Sequence, residues 1–356
     1  MDKDRRQFLL SLLNTPSPSG FEQDVQALWR AEALRHTPKV RTNTQGSVIA
    51  TLDGKPGGPS ILLMGHADEI GVLVHYIDDN GFIYFKPIGG IDTPTLVNQR
   101  VRLLGPRGLI NGVIGRTAVH LMKGDERDKK SIELTDLFID IGAADRAQAE
   151  AHAPIGTPGV IGGDAVELLN GRFAARDVDN KFGSFVALEV LRRCAARQGE
   201  LAATLHSAST VQEECGAWGA RLVAFDVNPT AAIAIDVSHA TDTPGIDARR
   251  AGKFALGEGP IVNIGVSSSK KLVAAIRAAG EAAGIPVRLE AETGRHGTDA
   301  DPAAEVRAGV PVATVSNSLR YMHTSVEVAV WEEIEQVCAL LTAFVLSVPA
   351  AVDYTP

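Results

Sequence analysis

The adjacent acids Glu213 and Glu214, in VQEECGAWGA, follow an apolar run and precede a glycine. Neighbouring like charges repel, so the pair needs a reason. A solvated helix N-terminus, where acids complement the dipole, is one. The other is chemical: one carboxylate binds a cation while its neighbour accepts a proton. Four further segments place imidazole or carboxylate beside apolar runs. They are His66 after SILLMG, with Asp68 and Glu69 beyond it; Asp236 after AAIAI; His323 after VATVSNSLRYM; and Asp177 and Asp179 in RDVDNKFG. Open α/β sheets collect ligands beyond the carboxyl ends of their strands, which would bring these residues together. Crowded in a half-buried cleft, such acids would be protonated unless cations compensated. Two divalent metals compensate, and His/Asp/Glu ligation suits zinc, with cobalt or manganese as alternatives. Two ions about 3.5–4 Å apart need a bridging ligand, which a carboxylate supplies. Rival chemistries lack residues: Cys215 has no evident partner base, and no Gly-rich phosphate loop or G-x-S-x-G elbow is present.

The elements that must position these groups follow from periodicity. The chain opens with a helix, a TPSPSG break, a second helix through FEQDVQALWRAEALR, and the strands GSVIATL and SILLMGH. From Gly71 to Gly163 the texture is β-rich, with a hairpin around Asp79-Asn80-Gly81 and a second strand pair about the Gly-Pro turn of RVRLLGPRGLINGVIGR. One helical piece, near Asp136 and Ala144 to Ala153, interrupts it. From Asp164 onward helices and short apolar strands alternate, which predicts a mainly parallel sheet covered on both faces. The expected architecture is α/β, with residues 1–70 and 164–356 forming one domain and residues 71–163 a small β-rich insertion. Phe182, Trp218 and the Leu/Val stripe of the last helix are expected in the core.

Composition narrows the partners. The 356 residues are 45% apolar and 22% charged, with a formal net charge of -8, which gives no electrostatic reason to expect nucleic acid or an anionic membrane. The basic pairs Lys129-Lys130 and Arg249-Arg250 read as solvated surface. Cys194, Cys215 and Cys338 match neither a disulfide framework nor a zinc ribbon, so a reducing, cytoplasmic setting is expected. The short apolar stretch Phe8 to Leu13 reads as an amphipathic helix rather than a membrane span or an export signal.

The strings TPSPSGFE, GHADEIG, DNKFG, QEECGAWGA, IDVSHATDTPG, GTDAD and RYMHTSVE, in this order and spacing, resemble the signatures of a known family. It is the tetrahedral-aminopeptidase and glutamyl-aminopeptidase family of cocatalytic metallopeptidases, some of whose members are labelled endoglucanase. The resemblance runs from about Thr15 to Glu327. It implies a zinc-aminopeptidase-like α/β/α catalytic domain with an inserted PDZ-like domain. It also implies that Asp179 bridges two metals, that His66 and Asp236 complete one site, and that Glu214 and His323 complete the other. Glu213 would be the general base, and Asp68 would accept the second ring N–H of His66 and fix its tautomer. The Asp179-Asn180 peptide bond would be cis. Substrates would be short peptides, and subunits would assemble into a large homo-oligomer, often a dodecamer. Asn180 and, where arginine is usual, Lys181 stay within the family's style, whereas Cys215 and Trp218 depart from the residues usual near the paired glutamates.

Some alternatives stay open on sequence. The same metal centre would serve an amidohydrolase or deacylase acting on a small acylated or amide-bonded metabolite. A glycosidase needs two opposed carboxylates and no metal, and a non-catalytic scaffold should have lost ligands that are all present here. Thr298 and Asp299 are candidates for lining the substrate pocket, Asp242 reads as a turn residue, and Arg320 as an ion-pair partner. A pocket selecting acidic N-terminal residues would hold lysine or arginine, and one selecting lysine would hold an acid.

Overall fold

A computed structural model describes residues 1–122 and 131–355; the Lys129-Lys130 pair lies outside them. Eight strands form one sheet in the order Val40–Thr42, Val48–Leu52, Thr204–Thr210, Ser60–His66, Ala231–His239, Val312–Leu319, Ile261–Gly265 and Arg288–Glu292. The central strands Ser60–His66, Ala231–His239 and Val312–Leu319 are buried on both faces almost throughout, and the first two carry continuous apolar runs, as a covered parallel sheet requires. Ser60–His66 pairs in parallel with both neighbours, and Ala231–His239 with Val312–Leu319. The flanks differ from the mainly parallel expectation, because Val40–Thr42, Val48–Leu52 and Ile261–Gly265 run antiparallel to inner neighbours. The reason is local at one edge. Asn43 Oδ1 accepts the N–H groups of Gln45, Gly46 and Ser47, closing a short loop that only a hairpin can use.

One face of the sheet carries helices Lys3–Asn14, Gln23–Ala33, Val178–Ala195, Lys270–Ala283 and Trp331–Ser347 over the larger core. The other carries Trp218–Val227 and Ala300–Ala304 over a smaller one. Phe182 and the stripe Ile334, Val337, Leu341, Phe344 are buried as expected, but Trp218 is 53% exposed. Its helix buries Ala220, Val223 and Ala224 instead, which turns Trp218, Leu222 and Phe225 outward. No helix among the described residues is long and apolar enough to cross a membrane.

Between Gly71 and Ile161 six strands close an antiparallel barrel, in the order Gly71–Ile77, Ile83–Ile88, Leu137–Asp140, Gly108–Arg116, Arg100–Gly105, Pro158–Ile161. Closure leaves no free edge, and Val74, Ile83, Val101, Leu103 and Ile139 form a separate core inside it. The hairpin at Asp79-Asn80-Gly81 is present, with Asp78 Oδ1 accepting from the N–H groups of Asn80 and Phe82. A third, small sheet pairs Arg172–Ala175 with Glu327–Val330, setting Ala175 opposite Glu327 just before the chain reaches Asp177 and Asp179.

Two glycines allow the helix Val178–Ala195 to start against the central strands. A Cβ on Gly65 would lie 2.1 Å from the carbonyl carbon of Gly183, and one on Gly183 would lie 2.2 Å from the Ile235 oxygen. Any side chain at either position would push the start of this helix away from His66.

Candidate metal centre

His66 ends its strand, Asp236 lies within the strand Ala231–His239, and Asp179 sits in the first turn of Val178–Ala195. Asp236 is not terminal, as its sequence setting implied, because Val237, Ser238 and His239 continue to pair with Asn317, Ser318 and Leu319. Glu213 and Glu214 occupy the turn after Thr204–Thr210, and His323 the loop after Val312–Leu319. The Asp179-Asn180 bond is cis.

These residues converge. The ligand atoms of His66, Asp179 and Asp236 lie within 4.8 Å of one another, as do those of Asp179, Glu214 and His323. Asp179 belongs to both groups: its Oδ1 is 3.3 Å from His66 Nε2 and its Oδ2 3.4 Å from His323 Nε2. Glu213 stands in neither group, with Oε2 3.7 Å from His66 Nε2.

The surrounding hydrogen bonds orient every member. His66 Nδ1 donates to the Asp68 carbonyl at 3.1 Å, and His323 Nδ1 donates to the Gly90 carbonyl at 2.8 Å. A carbonyl only accepts, so in each neutral ring Nε2 keeps its lone pair toward Asp179. The Asp68 role therefore differs from expectation: its carboxylate is 3.6 Å from His66 Nδ1, beyond hydrogen-bond range. That carboxylate accepts instead from the backbone N–H groups of Glu213 (3.0 Å) and Glu214 (3.1 Å).

Glu327 does the same on the opposite side, accepting from the N–H groups of Asp179 (3.0 Å) and His323 (2.9 Å). Sequence reasoning assigned Glu327 no role, although an acid four residues beyond His323 in RYMHTSVE was the available signal. Behind Asp179, the buried Lys181 ammonium donates to Thr15 O (2.6 Å) and Glu69 Oε1 (3.1 Å), and pairs with Asp177. Glu22 Oε1 accepts from the N–H groups of Gly20 (2.7 Å) and Gln212 (3.1 Å), fixing the approach to Glu213. The strings TPSPSGFE, GHADEIG and DNKFG thus meet as one buried scaffold.

The electrostatics match the crowding. Burial pushes Glu214 up to about 10, with the Asp179 charge adding to it. Burial also raises Glu213 to about 9, against the pull of His66, and Asp236 to about 8. Asp179 goes the other way: burial opposes ionisation, but His323 and His66 hold its carboxyl well below the usual range. Burial works against charge on His66, yet Asp179, Glu213 and Asp68 raise it well above an ordinary imidazole. On their own Glu213, Glu214 and Asp236 hold protons and the histidines gain them. Divalent cations between them would reverse both tendencies, so two imidazoles and three convergent carboxylates are a donor set that fits such ions.

The centre opens into a cleft of about 450 Å³ whose lining includes Glu213, Asp236, Ser238, Asn263, Thr298 and His323. Of the two pocket candidates in GTDAD, Thr298 is there. Asp299 is buried instead against Thr210, whose hydroxyl donates to its Oδ2 at 2.5 Å. Arg320 pairs with Asp242, Nε to Oδ1 at 2.8 Å.

A family model described as M42 glutamyl aminopeptidase matches residues 46–340. The chain is 30% identical to the lysyl aminopeptidase of Pyrococcus furiosus over 98% of its own length and 99% of the relative's. It superposes on the TET aminopeptidase of a marine sediment thaumarchaeon with a TM-score of 0.92, at 30% identity and with 97% of each chain covered. It also superposes on the Pyrococcus horikoshii TET1 peptidase, described as assembling into a tetrahedron or a large octahedral shell. That match has a TM-score of 0.82 at 29% identity and covers 96% of this chain and 99% of the other.

Proposed function

The chain belongs to the M42 glutamyl aminopeptidase family, and from that membership we propose that it is a dinuclear metalloaminopeptidase releasing N-terminal residues from short peptides. The observation that carries this reading is the shared aspartate, one Asp179 oxygen facing His66 and the other His323. His66, Asp179 and Asp236 would hold one divalent ion, and Asp179, Glu214 and His323 the second. Zinc suits the donors, with cobalt or manganese as alternatives. Bound ions supply Lewis acidity toward a water and the scissile carbonyl. Glu213, free of both ligand groups, takes a proton on its Oε from the attacking water and passes it to the leaving amine nitrogen. Asp68 holds the Glu213 and Glu214 backbone so that base and ligand keep separate directions. Glu327 holds Asp179 and His323 in the same way.

In this reading residues 1–70 and 164–356 form the catalytic unit and residues 71–163 the inserted one, a division supported by the barrel and its separate core. The protein works as a homo-oligomer, a dodecamer being the copy number of tetrahedral rotational symmetry. The uncovered apolar stripe Trp218, Leu222, Phe225 supports assembly, as does the shell formed by the TET1 relative. Three unpaired cysteines support a cytoplasmic location.

The test is hydrolysis across a panel of aminoacyl-p-nitroanilides, with an N-acetylated control, a chelator and Glu213→Gln. Expected is chelator-sensitive cleavage that needs a free amine, and a kcat about 10²–10⁴-fold lower in the variant at unchanged metal content. Cleavage of the blocked substrate alone would replace this reading with the metabolite amidohydrolase.

A further inference from the structure

The edge strand Arg288–Glu292 reads Arg-Leu-Glu-Ala-Glu, and its alternation puts residues 288, 290 and 292 on one half-buried face while Leu289 and Ala291 are exposed. Glu290 and Glu292 line the same cleft as the metal centre, yet neither belongs to a ligand group. Glu290 Oε2 accepts from Ser238 Oγ at 2.7 Å, and Glu292 Oε1 from the N–H of Thr293 at 3.0 Å. These are neutral partners, so both charges lack a counterion among the described residues. No lysine or arginine is among the residues lining the cleft. Arg288, on the same face of the strand, is engaged elsewhere, donating to Glu333 Oε1 (2.8 Å) and Ser318 Oγ (2.8 Å). His296 offers no compensation, because burial keeps its imidazole below the ordinary value and neutral at pH 7.

A second, independent feature points the same way. Asn263 sits directly across from Glu290 in register and lines the cleft. It is 7% exposed, and its buried Oδ1 accepts no hydrogen bond. An amide oxygen without a donor, beside two acids without a cation, lacks a group rich in N–H and positive in charge.

We infer that Glu290, Glu292 and Asn263 form the subsite for the substrate's N-terminal side chain and select a basic one, lysine or arginine. A lysine ammonium brings three donors and an arginine guanidinium five, each at the end of a long, flexible stem. An acidic side chain would meet two like charges in a half-buried wall, and an aliphatic one would leave them unpaired. This inference rests on the aminopeptidase reading and adds its substrate class.

The experiment compares lysyl- and norleucyl-p-nitroanilide on the metal-loaded enzyme, since norleucine is lysine without its ammonium. Wild type should favour the lysyl substrate by about 10–100-fold in kcat/KM, the worth of a charged hydrogen-bonded pair. The double variant Glu290→Gln, Glu292→Gln should bring that ratio to about threefold or less, with the norleucyl rate retained as evidence of an intact centre. A wild type that prefers norleucyl or glutamyl substrates, or a preference that survives the double variant, overturns the inference. If neither anilide is cleaved and the wider aminoacyl panel is silent too, the aminopeptidase reading falls, and calorimetric titration with L-lysine amide and L-norleucine amide decides the subsite alone. Tighter lysine amide binding that is lost in the double variant sustains it, and equal binding overturns it.

Discussion

The two halves of the candidate centre are built differently. His66, Asp179 and Asp236 are all buried, and two of them stand on adjacent parallel strands. Glu214 and His323 are loop residues, and the His323 side chain is 38% exposed. The buried half is positioned by strand pairing that the whole core supports. The open half is positioned by two contacts from far along the chain, Asp68 on the Glu214 N–H and Gly90 on the His323 ring, and by one local contact, Glu327 on the His323 N–H. Rigid elements hold ligands more accurately than loops do, so the two halves should differ in affinity and in exchange, and Asp179 is where they meet.

The most disruptive way to test that comparison is Asp179→Ala. Loss of the shared ligand should empty both halves and take activity to background. Metal analysis showing one equivalent still bound would mean that the halves are independent. A smaller effect separates the two supporting carboxylates. Glu327→Gln, which removes one acceptor behind Asp179 and His323, should weaken binding of the more weakly held ion by about 10–100-fold. Asp68→Asn should instead mainly lower kcat, through the Glu213 turn, with a smaller loss of metal because Glu214 is the one candidate ligand whose backbone it holds. Equal losses of metal in the two variants, read by chelator titration, would erase the distinction.

The smallest effect concerns the approach to the open half. Burial, with the Asp68 charge adding, raises Glu22 to about 7. An acid raised above its unfolded value is protonated in the native state first, so its contribution to stability falls as pH rises between about 4.5 and 7. Wild type should therefore lose stability relative to Glu22→Gln across that window, by about 2–3 kcal/mol, and stay parallel to it above pH 7. Urea melts at pH 5 and pH 8 measure this, and a difference independent of pH would show that Glu22 is already ionised at low pH.

Legibility in the sequence followed the same divide. The five candidate ligands stood out because a parallel sheet gathers what its strands end on, and because the seven strings occur in a familiar order. What stayed hidden was tertiary. Nothing local shows that Gly90 meets His323, or that the Asp68 carboxylate reaches past its own histidine to the Glu213 turn. Glu290 and Glu292 read as ordinary alternation on a polar strand until the fold turned that face toward the centre. Trp218 failed as a core residue for a related reason: composition marks a side chain as apolar without saying which face of its helix the sheet will cover. The parallel sheet was overextended to the flanks because short loops decide strand direction there, and the apolar runs alone do not carry that information.

The Gly90 carbonyl has one more consequence, for the modularity of the chain. All five candidate ligands lie outside residues 71–163, so the barrel looks exchangeable as a cassette. It is not a free cassette, because it carries the acceptor that sets the proton on His323 Nδ1. A graft of the sheet and its helices alone would transplant every ligand and still leave one histidine free to choose the wrong tautomer. Any replacement insert must bring a backbone oxygen back to that point.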